Sequence, residues 1–234
     1  MTRLLIFAIL TMTGCATAPS SSQRPLNPGT DWVAHSPEWK QKAADVYQQA
    51  TDYVLATGSH FGEKQWAVIM DLDETVLNNV QYQVRLERAG ETYTPESWYP
   101  WTQEEAATLV PGAQSFIKAV NTAGGHVAFV TNRKDFEQLA TENNLAKLGL
   151  YRGKQFRVLL TRATPDASGD KEQRFAQVSN LLSAQGYPDT QVIAFIGDNV
   201  GDTPKLEGPQ RFFCIDQGAM YGEPCAGPFD STQR

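Results

Sequence analysis

Five short apolar runs separated by helix-length stretches constrain this chain more than any other feature: WAVIM at 66–70, HVAFVTN at 126–132, FRVLL at 156–160, QVIAFIGD at 191–198 and RFFCI at 211–215. Short runs without apolar–polar alternation suit strands that are buried on both faces. The stretches between them carry helix signals: PGAQSFIKAVNTAGG (111–125) closes on glycines, KDFEQLATENNLAKLG (134–149) ends in Gly149, and DKEQRFAQVSNLLSAQG (170–186) ends in Gly186. Strands alternating with helices imply an α/β fold, a doubly wound parallel sheet with helices on both faces. A further helix over 36–58 opens on a Ser cap and repeats Trp39, Ala43, Val46, Tyr47, Ala50 and Tyr53 at helical spacing. Residues 79–110 lack strand character, hold the aromatic group YTPESWYPW with a helix expected from about Pro95, and are expected to form a small helical cap.

Three of the runs lead into polar segments, DLDET, VTNR and IGDNVGD, and the helix after the third run begins DKEQR. In a doubly wound sheet these segments meet at one edge. That gathers Asp71, Asp73, Thr131, Asn132, Lys171, Asp198 and Asp202 around a single crevice. Carboxylates crowded there repel one another unless a cation compensates them. Mg²⁺ takes hard oxygen ligands and keeps several waters, so Asp71 and Asp198 suffice as carboxylate ligands, with Asp202 orienting a bound water. A carboxylate so placed can act as a nucleophile toward phosphorus, which suits Asp71. Asp73, two residues on, can protonate the departing oxygen and then activate water. Thr131, backbone amides and Lys171 can hold the remaining phosphate oxygens. A calcium loop is the nearest rival, because Asp71, Asp73 and Thr75 alternate. It fails on Val76, where such a loop needs Gly, and on Tyr82, where it needs Glu.

The amino terminus reads as separate from the fold. Residues 1–14 hold an apolar run too short to span a bilayer and look like a secretory signal, with Thr13 and Gly14 before Cys15 resembling a bacterial lipobox. Cleavage before Cys15 and lipid attachment to its thiol are expected, which makes the protein an exported outer-membrane lipoprotein facing the periplasm or the cell surface. Residues 15–31 are rich in Ser and Pro and read as a flexible tether, and 32–234 as the folded domain. A net charge of −6 argues against a nucleic-acid polymer as partner and leaves a small phosphomonoester open. Cys214 and Cys225 can close a structural disulfide in an exported protein, or stand as two buried thiols.

The segments MDLDETVLNNVQY, YTPESWYPW, VTNR and GDNVGD, with a lysine between the last two, resemble the class C bacterial acid phosphatases, including lipoprotein 5′-nucleotidases, of the haloacid dehalogenase (HAD) superfamily. The resemblance runs from about Trp32 to the end. It implies a HAD-like, Rossmann-type core, Asp71 as nucleophile and Asp73 as acid/base. It also implies Mg²⁺ held by Asp71, Asp198 and the backbone carbonyl of Asp73, with Thr131 and Lys171 at the phosphate. Asn79 and Asn132 within those motifs join the candidate substrate contacts. One departure is GDTPK, where the family pattern has Asp followed by an aromatic residue. The implied activity is Mg²⁺-dependent hydrolysis of nucleoside monophosphates and aryl phosphates at acid pH. A phosphotransferase with the same residues is an alternative, as is a non-catalytic surface lipoprotein, which would have no need of the intact aspartate set.

Some readings stay open. Arg133 and Arg174 suit either the substrate phosphate or a solvated face. Trp98, with Tyr93, Tyr99 and Trp101, suits either a stacking surface above the crevice or the core of the cap. Glu74 reads as support for its neighbours or as a helix-start charge. His35, His60 and His126 have no metal-ligand spacing. The oligomeric state is open, a homodimer included.

Overall fold

The computed structural model describes residues 24–164, 168–205, 210–230 and 232. Cys15 and its lipobox lie outside the described residues, so the anchoring expectation has no structural counterpart here. Among the described residues no helix is long and apolar enough to cross a membrane.

In chain order the elements are α1 (Pro28–His35), α2 (Pro37–Gly58), β1 (Trp66–Met70), β2 (Leu77–Asn78), α3 (Val80–Ala89), α4 (Pro95–Glu104), β3 (Thr108–Leu109), α5 (Ala113–Thr122), β4 (His126–Lys134), α6 (Gln138–Lys147), β5 (Val158–Arg162), α7 (Glu172–Ala184), β6 (Gln191–Gly197) and β7 (Arg211–Cys214). The main sheet has the order β5-β4-β1-β6-β7, with every neighbouring pair parallel. Chain order therefore reverses between β1 and β6. In open α/β sheets the crevice outside the strand ends at such a reversal is where ligands bind.

The apolar runs explain the layering. Val68 and Met70 of β1 pack into one cluster with residues of α2 and α5, while Ala67 and Ile69 pack into another with Phe175, Val178 and Leu182 of α7. Strand side chains alternate between faces, so a strand covered on both sides has to be apolar throughout. α2 starts as expected: the Ser36 Oγ accepts from the N–H groups of Glu38 (3.1 Å) and Trp39 (3.4 Å). This satisfies donors that have no partner within a helix's first turn.

Two differences from the expected layout concern chain ends and the cap. The tether expected through residue 31 gives way to α1 at Pro28, because Glu87 fixes this stretch. Its carboxylate accepts from the Asn27 N–H (2.8 Å) and the Thr30 hydroxyl (2.6 Å). The cap holds α3 as well as the expected α4. Its buried face includes Glu87 beside Val80, Tyr82 and Leu86, which breaks the apolar stripe that would have announced a helix. The two-residue ladder Leu77↔Leu109 and Asn78↔Thr108 closes the base of this insert. Cys214, the last residue of β7, is joined to Cys225 by a disulfide.

Candidate active site

Asp71 directly follows β1, and its N–H donates to the Ile196 carbonyl (2.9 Å), so the ladder with β6 fixes its backbone. Asp198 directly follows β6. Together with Asp202, one turn further on, they place carboxylate oxygens within 4.8 Å of one another. All three residues are buried. Asp202 folds back over Gly197, where a Cβ would lie 2.2 Å from the Asp202 Cβ; only glycine permits that approach. Its Oδ2 accepts from the N–H groups of Asp198 (3.2 Å) and Asn199 (3.0 Å). Lys171, preceding α7, reaches across the switch point to bridge Asp71 Oδ1 and Asp202 Oδ1, the latter at 2.6 Å.

This centre holds more negative charge than its lysine offsets. Burial pushes the Asp71 carboxyl up to about 7; Lys171 pulls it back while Asp202 and Asp73 push it further. Burial likewise holds Asp198 well above the carboxylate range, with Asp71 and Asp202 adding to it. Burial opposes the charge on Lys171, but Asp71 and Asp202 more than offset it and keep it protonated. Three buried carboxylates against one ammonium form a hard-oxygen donor set with charge to spare, which fits a divalent cation such as Mg²⁺.

Asp73 is held from the other side. Arg133, 3% exposed, grips it with Nε (3.0 Å to Oδ1) and Nη2 (2.7 Å to Oδ1), while its Nη1 reaches the Thr141 hydroxyl at 3.1 Å. Asn79 donates Nδ2 to Asp73 Oδ1 (2.9 Å) and accepts from the Trp101 indole (2.9 Å). Glu74 sits in the left-handed region (φ 57°), is buried, and accepts from the Asn79 N–H at 2.6 Å and from the Tyr221 hydroxyl. Burial first and the Asp73 charge second push its carboxyl up to about 8. It is a buried support for Asn79 and Tyr221, not a helix-start charge.

The other expected residues divide between the cleft and its backing. Asn132, Arg133, Asn79 and Trp98 line a cleft of about 480 Å³ together with the aspartates and Lys171. Thr131 is fully buried in β4, its Oγ1 accepting from the Arg133 N–H (3.1 Å). Arg174 turns to the Thr131 carbonyl, Asn132 Oδ1 (2.6 Å) and the Asp170 carbonyl (3.1 Å), tying the start of α7 to the end of β4. Trp98 packs edge-on against Tyr82 (5.0 Å between centroids) and lines the cleft, with the Arg133 guanidinium 5.5 Å from its ring centroid.

Sequence reasoning passed over Tyr221 and Arg162, both of which line the cleft. The signal for Tyr221 was the cysteine pair around it. The disulfide, with the Cys225 N–H on the Asp198 carbonyl (2.9 Å) and the Val200 N–H on the Glu223 carbonyl (2.7 Å), draws residues 215–225 against the site as a wall.

Residues 16–224 match the family model described as HAD superfamily, subfamily IIIB (acid phosphatase). A class C acid phosphatase from Bacillus anthracis superposes with a TM-score of 0.70 at 24% identity, over 83% of this chain and 84% of that one. The same enzyme with tungstate bound gives 0.67 at the same identity and coverage. The stem 31 kDa glycoprotein of Glycine max is 25% identical over 200 residues, 85% of this chain and 74% of that protein.

Proposed function

The chain belongs to the acid phosphatases of HAD superfamily subfamily IIIB and is a phosphoric monoester hydrolase, and from that premise we propose that it cleaves nucleoside monophosphates and aryl phosphates with Mg²⁺ through a phospho-aspartate on Asp71. One observation carries the reading: Asp71, Asp198 and Asp202, 127 or more residues apart or one turn apart in the chain, converge, with Lys171 bridging Asp71 and Asp202 and Asp73 braced beside them.

In the first step an Asp71 oxygen attacks phosphorus as the P–O bond to the leaving group breaks. Asp73 gives its proton to the departing oxygen. In the second step Asp73 takes a proton from a water, whose oxygen attacks the phospho-aspartate, and Asp71 and inorganic phosphate are released. Lys171 holds non-bridging oxygens, compensating charge that grows in the transition state, while Thr131, expected at the phosphate, backs the cleft through the Arg133 N–H. Arg133 and Asn79 keep the Asp73 carboxyl aimed at the leaving oxygen. Asp71, Asp198 and the Asp73 carbonyl would hold Mg²⁺, with Asp202 behind them; the bound ion supplies neutralisation of phosphate charge beside the nucleophile. Trp98 offers a stacking surface to a base or aryl group. We extend the proposal to an outer-membrane lipoprotein anchored through Cys15 and acting on exported phosphomonoesters, a reading supported by the lipobox.

Turnover of para-nitrophenyl phosphate with and without EDTA tests the metal, and Asp71→Asn tests the nucleophile. Both changes are expected to abolish activity. Unchanged turnover in chelator would remove the metal role, and full activity of Asp71→Asn would remove the nucleophile.

A further inference from the structure

The cleft is larger than a phosphate requires, and its far end carries a cation that the hydrolytic steps do not use. Arg162 closes β5, in register with Lys134 of β4, and lines the cleft beside Tyr93 and Asn132. The other cleft cations are matched: Lys171 bridges Asp71 and Asp202, and Arg133 grips Asp73. Among the described residues Arg162 has no carboxylate within ion-pair distance, and its Nε is buried without a hydrogen-bond partner. A buried N–H without an acceptor is costly unless something supplies one. Its planar fork matches the paired oxygens of a carboxylate or phosphate. Gly169 and Asn132 stand beside it, since a Cβ built on Gly169 would lie 3.9 Å from an Arg162 terminal nitrogen and 3.4 Å from the Asn132 Nδ2, and the exposed Tyr93 lines the same cleft.

Position gives the second half of the argument. β5 lies two strands from β1, beyond β4. At about 4.8 Å per strand the two backbones are roughly 10 Å apart. With the phosphate at Asp71, a group held by Arg162 therefore belongs to the leaving-group part of the substrate, in the cleft that both residues line.

We propose that Arg162 binds a second oxyanion on the leaving group, so that the cleft favours phosphomonoesters carrying an additional carboxylate or phosphate. This rests on the reading of the cleft as the hydrolytic site. The test compares kcat/KM within two matched pairs: phenyl phosphate against para-carboxyphenyl phosphate, and a nucleoside 5′-monophosphate against the 3′,5′-bisphosphate. The wild-type enzyme is expected to prefer the second member of at least one pair, and the pair that responds identifies the oxyanion. Arg162→Gln is expected to cut that preference about tenfold or more, chiefly through KM, as loss of a charge-assisted bond implies. Arg162→Lys should restore part of it. A measurement on the wild-type chain needs no variant: para-carboxyphenylphosphonate should inhibit more tightly than phenylphosphonate. Equal inhibition, or preferences unmoved in Arg162→Gln, overturns the role of Arg162 while leaving the hydrolytic site intact. Turnover surviving in Asp71→Asn overturns the site reading and this inference with it.

Discussion

Lys171→Met removes the ammonium that bridges Asp71 and Asp202 but keeps a side chain of similar length. The site is buried, and three carboxylates remain within 4.8 Å of one another with nothing to offset them. Removing one partner of a buried ion pair costs about 3–5 kcal/mol. In a chain of 234 residues each kcal/mol moves Tm by about 2–4 °C, so the fall in chelator should be roughly 6–20 °C. Its pH dependence has a definite sign. The Asp71 carboxyl already sits at about 7, raised by burial against the pull of Lys171, and losing that pull raises it further. The folded variant then binds more protons than the unfolded chain, so its stability falls as pH rises from the normal carboxylate range through the raised value. The deficit should thus be smallest near pH 5 and largest near pH 8. A divalent cation can take the place of the lost ammonium. Any ligand of the folded state at a hundred times its Kd adds about 2.7 kcal/mol, and the more negative variant should bind Mg²⁺ tighter than the wild type. Thermal melts in EDTA and in Mg²⁺ across that pH range measure both effects. A variant as stable as the wild type in EDTA near pH 8, or equal Mg²⁺ shifts for the two proteins, would refute the charge balance drawn here.

Arg133→Lys replaces a fork on Asp73 with a single ammonium; kcat on alkyl phosphates should fall about a hundredfold, in the range of acid–base catalysis, with little change in KM. An unchanged kcat would take Arg133 out of that role. Tyr221→Phe removes the hydroxyl bonded to Glu74 and loosens the support of Asn79 and Asp73. We expect kcat/KM to drop on the order of tenfold for alkyl phosphates, whose leaving oxygen needs the proton, and less for nitrophenyl phosphate; equal losses on both would point to a general structural effect. Reducing the Cys214–Cys225 bond, or Cys225→Ser, should cost roughly 3 kcal/mol of stability by loop entropy. Activity should fall with it, since Tyr221 lies within the closed loop. Melts and turnover with and without dithiothreitol check this, and full activity in reductant would separate the bond from the site.

The Rossmann-type core was legible because burial on both faces forces β1 to be apolar at every position, and that pattern survives in one sequence. The convergence of the aspartates was legible for a related reason: Asp71 and Asp198 stand at the ends of adjacent strands, where topology alone brings them together. What sequence could not give was direction. Arg133 follows Asn132 by one residue, yet Asn132 is exposed at the cleft while Arg133 is buried against Asp73. Tyr221 depends on the path of an irregular segment after β7, which no periodicity encodes. β2 and β3 pair over two residues each, too short to leave a pattern. The start of the fold was misplaced by a few residues because Asn27 and Thr30 are fixed by Glu87, 57 or more positions away.

The nucleophile can be caught directly. A single turnover of radiolabelled aryl phosphate, quenched in acid and digested, should leave a hydroxylamine-labile phosphate on the peptide that contains Asp71. The label should be absent from Asp71→Asn. Complete product release with no labelled protein, or label on a different residue, would contradict attack by Asp71.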